Sequence, residues 1–133
     1  MVDKGFNQID RIIDWKEFNQ AIEEIVRQIK EKEIQYNFDY ILGIPRGGLV
    51  VAVALSHKLN LELVTENVYD YVRKLQQKTL VVDDITDTGK TLLKFVDKSK
   101  IATLFWKKKS VVIPDFYYKE AKKIEWVKFP WEQ

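Results

Sequence analysis

The spacing of apolar residues predicts a long amphipathic helix over residues 14–32. Within this stretch the apolar side chains recur at intervals of three and four residues, which places them on one face of a helix. Asp14, with Glu17 three positions later, has the pattern of a capping box, so we expect the helix to begin at Asp14. The residues of the apolar face are Trp15, Phe18, Ile22, Ile25, Val26 and Ile29.

Further along, short apolar runs alternate with segments of helical character. Residues 49–59 are apolar on almost every side and predict a buried helix, residues 88–98 predict another helix, and residues 67–78 predict a loop or a short helix. This alternation favours an α/β domain with a largely parallel sheet. The runs that predict strands are 38–44, 61–65, 79–82, 101–106 and, more briefly, 110–113.

Length, charge and composition restrict the classes of function. A chain of 133 residues with 46% hydrophobic residues suits a single globular domain. We divide it into an N-terminal helical segment (1–37), a core (38–106) and a tail (107–133). A net charge of +2 does not indicate a nucleic-acid partner, and the absence of cysteine excludes disulfides and thiolate metal sites. No apolar run suits a signal peptide or a membrane span, so we expect a cytoplasmic protein without a membrane partner.

Three carboxylates lie within five residues, directly after an apolar run. Asp83, Asp84 and Asp87 follow Val82, and two like charges about 4 Å apart cost roughly 4 kcal/mol at an effective dielectric near 20. A fold retains such a cluster where cations, hydroxyls or backbone N–H groups use it. The residues up to Thr91 supply hydroxyls and backbone donors at the expected start of a helix, where a phosphate is favoured. The stretch therefore predicts a sugar-phosphate site.

Other motifs fit this acidic stretch less well. A Walker A loop needs glycine where Asp84 stands, and an EF-hand needs alternating acidic positions and a distant glutamate that are absent here. A purely structural alternative stays open. In it, the acidic turn is solvated, and Asp87 or Thr88 only caps the following helix.

A second loop follows the first predicted strand of the core. Its sequence is Pro45-Arg46-Gly47-Gly48, in which the arginine offers a planar fork for a diphosphate and the glycines allow a close approach of the backbone. Taken alone, a strand-to-helix turn that needs glycine for tight packing explains it equally well. In a parallel sheet both loops would lie beyond the carboxyl ends of strands, where ligands bind.

The stretch from Val81 to Thr91 resembles the loop that binds 5-phosphoribosyl 1-diphosphate (PRPP) in the type I phosphoribosyltransferases. It has the same order of apolar, acidic, Thr-Gly and hydroxyl positions. The resemblance implies their α/β fold, with a largely parallel central sheet flanked by helices and a small C-terminal hood segment. It also implies that Asp87 acts as general base or proton relay at the purine. The implied PRPP-binding residues are Asp83, Asp84, Thr86, Asp87, Thr88, Gly89, Lys90 and Thr91.

In the same resemblance, Asp83 and Asp84 engage the ribose hydroxyls directly or through Mg²⁺. The segment 86–91 holds the 5′-phosphate. Pro45, Arg46 and Gly47 form the diphosphate loop, in which a cis peptide bond is expected between Pro45 and Arg46.

The end of the chain resembles the 6-oxopurine members of the family. In this resemblance Lys107, at the end of a predicted strand, contacts the 6-oxygen of the base. Trp126 stacks on the base, the Val127 backbone reads its edge, and Glu132 lies near the diphosphate or metal. A cationic donor favours guanine, xanthine or hypoxanthine over adenine, whose 6-amino group is itself a donor. The purely structural alternatives are that the lysine run at 107–109 is solvated and that the tryptophans only anchor the tail.

The implied activity is transfer of a phosphoribosyl group from PRPP to a 6-oxopurine, with Mg²⁺ as cofactor, in a homodimer or homotetramer. One departure matters: only residues 66–78 stand where the family has a longer, flexible covering loop, so Tyr69, Asp70, Arg73 and Lys74 would have to do part of that work. Two alternatives stay open. One is a module that senses PRPP or nucleotide without turnover, and the other is a transferase for another acceptor base.

Overall fold

A five-stranded parallel sheet forms the centre of this computed structural model, which describes residues 8–32 and 35–132. The strand order is β3-β2-β4-β5-β6, and every neighbouring pair is parallel. The α/β architecture expected from the sequence is therefore confirmed. The strands of this sheet are β2 (Tyr40–Gly43), β3 (Glu62–Leu63), β4 (Thr79–Thr86), β5 (Lys100–Trp106) and β6 (Phe116–Glu120).

Helices α1 (Trp15–Glu31) and α2 (Gly47–Leu59) cover one face of the sheet. Helix α1 begins as predicted, because the Asp14 carboxylate accepts the N–H of Glu17 at 2.8 Å. Helix α2 was expected to be a buried helix, and it is buried only in part. Only its inner side, including Leu55, is buried, while Leu49 and Val53 are 46% and 44% exposed. A helix in an outer layer has one side that faces solvent.

The opposite face of the sheet is covered by shorter elements. Helix α3 (Glu66–Tyr71) and 3-10 turns at Arg73–Lys78 and Leu93–Phe95 pack there. The predicted helix over residues 88–98 is wrong, because only the turn Leu93–Phe95 forms. Gly89 has a φ of +83°, which lies outside the α-helical range, and the turns that follow it place Phe95 in this second core.

A separate two-stranded parallel sheet forms the hood. It pairs β1 (Ile9–Ile12) with β7 (Glu125–Lys128), so the N-terminal segment, expected to be helical, also supplies a strand. Of that segment, residues 1–7, 33 and 34 lie outside the described residues. The brief strand predicted at 110–113 is wrong. There Ser110 bonds locally to the N–H and carbonyl of Val112, so these groups do not join a ladder.

The segment 66–78 is a packed part of the core. Tyr69 is fully buried, its hydroxyl lies 2.6 Å from Ser99 Oγ, and its ring contacts Phe95. Tyr69 therefore cannot cover a reacting centre, and that expectation is wrong. Asp70 lies 3.9 Å from Lys94, while Arg73 and Lys74 are exposed. No helix in the described part of the chain is long and apolar enough to cross a membrane.

We expect Tyr69→Phe to lower the free energy of unfolding by about 1 kcal/mol, because it removes one buried hydrogen bond. Urea denaturation measures this change. The matched control is Tyr71→Phe, which removes the same hydroxyl from a side chain that is 91% exposed. Equal stabilities of the two variants would show that the contact with Ser99 contributes nothing.

Candidate active site

The paired aspartates lie inside strand β4, which extends beyond the predicted boundary at Val82 to Thr86. The Asp83 carboxylate accepts the N–H of Asp84 at 2.8 Å, and the Asp84 carboxylate accepts the N–H of Ile85 at 2.8 Å. Both side chains are partly buried. The two carboxylates are also close enough for each to affect the pKa of the other.

Burial is the main reason why both carboxyl groups have raised pKa values. Burial, with the charge of Asp84 as a second cause, raises the pKa of Asp83 to about 8. Burial also raises the pKa of Asp84, and the negative charge of Glu132 adds to that effect. Glu132 is therefore within electrostatic reach of Asp84. A carboxylate pair short of solvent and of positive charge suits a cation.

A cavity of about 110 Å³ lies beside the end of β4. The backbone N–H groups of Thr88, Gly89 and Thr91 donate no hydrogen bond to any described residue. The hydroxyl oxygen of Thr86 is buried and also lacks a hydrogen-bond partner among the described residues. Free N–H and hydroxyl donors around a cavity suit an anion with several oxygens. The lining residues are Asp83, Ile85, Thr86, Asp87, Thr88, Gly89, Lys90, Thr91 and Leu92.

The turn after β2 packs directly on the acidic pair. A Cβ atom on Gly47 would lie 1.9 Å from Asp84 Oδ2, and one on Gly48 would lie 2.6 Å from the Val82 carbonyl oxygen. Only glycine allows this close approach, so tight packing explains in part why glycine stands at both positions. The peptide bond between Pro45 and Arg46 is cis, as predicted.

Arg46 and the start of α2 add positive character at this edge. The Arg46 side chain is exposed, and no described acidic residue pairs with it. The helix whose N-terminus lies here is α2, which begins at Gly47, and not a helix after Thr88. Free N–H groups of the first turn and the helix dipole favour an anion.

Asp87 contacts a residue that the sequence analysis missed. The Lys109 ammonium lies 3.0 Å from Asp87 Oδ1. A run of three lysines at 107–109 is typical of a solvated face, and no sequence signal joins it to Asp87. The register of β4 and β5 does so, because Thr86 lies opposite Trp106 and the two chains continue side by side.

Lys107 is buried rather than solvated. Only 4% of it is exposed, its ammonium donates to the Glu125 carbonyl at 2.6 Å, and its N–H donates to the Thr86 carbonyl at 2.9 Å. The structure thus brings Lys107 to the hood strand that carries Trp126 and Val127.

The tryptophans of the tail differ in their contacts. Trp131 stacks on Phe129 with ring centroids 4.9 Å apart and meets the edge of Phe18 at 5.7 Å. It anchors the tail to α1. Trp126 is half-buried and makes no ring contact with another described aromatic residue, whereas Val127 is buried. The anchoring alternative therefore applies to Trp131.

The three carboxylates predicted to bind metal do not form a complete cage. Among residues 8–32 and 35–132, no group of three or more His, Cys, Asp or Glu side chains is arranged to hold a metal ion. The Glu132 carboxylate instead accepts the N–H of Phe129 at 2.8 Å. A cation here needs further oxygen ligands from water or from a bound molecule.

Comparison with known proteins gives one family match and several relatives. Residues 8–77, just over half of the chain, match the family described as phosphoribosyl transferase domain. The chain is 29% identical to a xanthine-guanine phosphoribosyltransferase of Idiomarina loihiensis, over 90% of this chain and 85% of that protein. It is 24% identical to the enzyme of the same name from Desulfotalea psychrophila, over 90% and 84%.

Solved structures show the same fold. A purine phosphoribosyltransferase from Pyrococcus horikoshii superposes with a TM-score of 0.75 at 28% identity, covering 93% of this chain and 94% of that one. A xanthine-guanine-hypoxanthine phosphoribosyltransferase from Helicobacter pylori superposes with a TM-score of 0.78 at 24% identity, with the same coverage. The second similarity concerns the fold alone.

We expect Gly47→Ala to displace Asp84, because the added methyl group would lie 1.9 Å from Asp84 Oδ2. An overpacked contact of this kind costs about 1–3 kcal/mol of the free energy of unfolding, and urea denaturation measures this change. Leu49→Ala, in the first turn of the same helix but on an exposed side chain, is the control and should cost less. Equal stabilities of the Gly47→Ala variant and the wild type would contradict the packing argument.

A raised pKa at Asp83 predicts that the ligand-free protein loses stability as pH rises from about 4 to about 8. In that window the folded state keeps a proton that the unfolded state, with a pKa near 3.9, has released. Between pH 5 and pH 8 in EDTA, wild type should lose at least about 1.4 kcal/mol more than Asp83→Asn, the equivalent of one pKa unit. The exposed Asp97→Asn should behave as wild type. Parallel pH profiles for wild type and Asp83→Asn would refute the prediction.

Proposed function

This chain belongs to the phosphoribosyl transferase domain family, and on that premise we propose that it transfers the phosphoribosyl group of PRPP to a 6-oxopurine. The acceptor is guanine, xanthine or hypoxanthine, and the products are a nucleoside 5′-monophosphate and diphosphate. One observation carries the proposal. The cavity beside β4 is lined without a break by residues 85–92 and by Asp83, which also lies against Gly48 of the neighbouring turn. The similarity to xanthine-guanine phosphoribosyltransferases over 90% of the chain supports it.

The phosphoribosyl group binds at the end of β4. Its 5′-phosphate accepts hydrogen bonds from the free N–H groups of Thr88, Gly89 and Thr91. Together with Thr86 and Lys90, these residues form the phosphate cradle. Asp83 and Asp84 hold the ribose hydroxyls. This use of the two carboxylates agrees with their position in the same strand, directly before the cradle.

Mg²⁺ fits the acidic pair, because two partly buried carboxylates with raised pKa values lack a compensating charge. Asp83 and Asp84 would hold it, with Glu132 taking part through water. The described residues form no complete cage, which suits an ion that keeps several waters and binds through substrate oxygens. When bound, the ion would offset the negative charge of the diphosphate.

The diphosphate binds at the turn Pro45-Arg46-Gly47. The exposed guanidinium of Arg46 and the first turn of α2 lie at this edge of the sheet, next to Asp84. During transfer, the bond from ribose C1 to the diphosphate oxygen breaks and the electron pair leaves with the diphosphate. Donors that are already in position stabilise this developing charge without reorganisation.

The purine binds between the hood and the end of β5. Lys107 donates to its 6-oxygen, Trp126 stacks on its ring, and the Val127 backbone reads its edge. Purine N9 forms the new bond to ribose C1, and Asp87 takes the proton that the base releases. The position of Asp87 beside the cavity, between the phosphate cradle and the Lys107 segment, supports that role. A positioned base of this kind contributes about 10²–10⁴-fold to a rate.

One observation favours a second function. The segment 66–78 is packed through Tyr69 and Leu75, and a packed segment does not close over a reacting centre and exclude water as a flexible loop does. A module that binds PRPP or nucleotide without turnover would need no such loop. The cytoplasmic setting and a homodimer or homotetramer belong to the main proposal and rest on the resemblance to the family.

The test is a panel of bases with PRPP and Mg²⁺, in which diphosphate release and nucleotide formation are both measured. We expect release with guanine, xanthine or hypoxanthine and at least about 10-fold less with adenine, because the Lys107 ammonium has no acceptor at the 6-amino group. Uracil and a reaction without base are the controls.

The other outcomes separate the alternatives. Binding of PRPP, seen by calorimetry, without diphosphate release for any base would favour the sensing module. Release with adenine or a pyrimidine alone would replace the 6-oxopurine by another acceptor. Neither binding nor release would remove the proposed function altogether.

A further inference from the structure

Residues 86–89 and residues 107–111 run side by side along the edge of the cavity. The N–H of Lys107 donates to the Thr86 carbonyl at 2.9 Å, and the N–H of Val111 donates to the Thr88 carbonyl at 2.9 Å. Gly89 is packed against the same partner segment, since a Cβ atom there would lie 2.5 Å from Ser110 Oγ. Asp87 lies between the two backbone contacts, so the position of its backbone is set on both sides.

The side chain of Asp87 is also held by the segment 107–111. Its Oδ1 atom is buried, and the ammonium of Lys109 lies 3.0 Å from it in an ion pair that lacks the angles of a hydrogen bond. The carboxylate as a whole is one third exposed and lines the cavity. Because Oδ1 is shielded on the Lys109 side, Oδ2 is the oxygen left to meet a ligand.

We infer that Lys109 is a positioning residue for Asp87. Its ammonium holds one carboxylate oxygen, so that the other is presented to the purine. This inference rests on the proposed function, because it assigns a role in the same reaction. Both residues are partly exposed, and the pair is therefore worth little as a source of stability. Its effect is on orientation, and a general base displaced by about 1 Å can lose about 100-fold in rate.

A different role for Lys109 would be attraction of PRPP by its positive charge. The geometry favours positioning, because the ammonium is already paired with Asp87 while Arg46 and Lys90 at the same site have no described ion-pair partner. The two roles give different kinetics. Positioning affects kcat, whereas attraction of a polyanion affects the KM for PRPP.

The experiment compares Lys109→Met with Lys108→Met and Lys109→Arg in the transfer assay. Lys108 is the matched control, because it is the neighbouring lysine, is 80% exposed and lies 3.9 Å from Glu120 on another strand. We expect Lys109→Met to lower kcat about 10-fold with the KM for PRPP changed less than about 2-fold. Lys109→Arg should restore most of the rate, and all variants should unfold at the same urea concentration as wild type.

A second comparison tests whether Lys109 acts through Asp87. Asp87→Asn removes the group that Lys109 holds, so Lys109→Met added to Asp87→Asn should change kcat less than about 2-fold. A further drop in the double variant would mean an independent role and would overturn the inference. So would a kcat of Lys109→Met equal to that of Lys108→Met, or a raised KM for PRPP at unchanged kcat. A wild-type protein that transfers nothing overturns the proposed function first, and the inference with it.

Discussion

The parallel pairing of β2 with β4 is the constraint on which the rest of the site depends. Gly43 lies opposite Val82 in that pair, so the turn after β2 is carried into contact with Asp83 and Asp84. The contact exists only because the residues of that turn have no side chains at the points of approach. It shields the carboxylates from solvent, which raises their pKa values. Strand pairing therefore makes this acidic stretch a place that favours a cation and polar groups.

The pairing of β4 with β5 has a comparable role on the other side of the cavity. It sets the segment after Trp106 beside the segment after Thr86, and the contacts of Lys107, Lys109 and Val111 follow from that register. The hood then covers the end of β5, because the Lys107 ammonium donates to the carbonyl of Glu125 in β7. The residues proposed to recognise the base and those proposed to bind the phosphoribosyl group are thus joined through neighbouring backbone and side-chain contacts.

The second core beneath the sheet explains why residues 66–78 do not form a flexible cover. With no long helix after β4, Phe95 and Leu92 are buried beside Tyr69 and Leu75. The side chains of the short connecting segments are needed to fill that layer, and they are then unavailable for motion over the site.

The local order of residues determined much of this protein by itself. The period of apolar positions predicted α1, and short apolar runs predicted most core strands. The order of acidic, hydroxyl and glycine positions indicated a stretch that lines one cavity, although Asp84 is not part of that lining. These signals lie within a few adjacent residues. Tertiary structure alone decided the rest. After Thr88, short turns replace the predicted helix, and Gly89 is packed against Ser110 with a φ of +83°. The pairing of β1 with β7 joins the two ends of the described chain, and the contact of Lys109 with Asp87 depends on strand register. Contacts between distant residues leave no periodic signal in either segment.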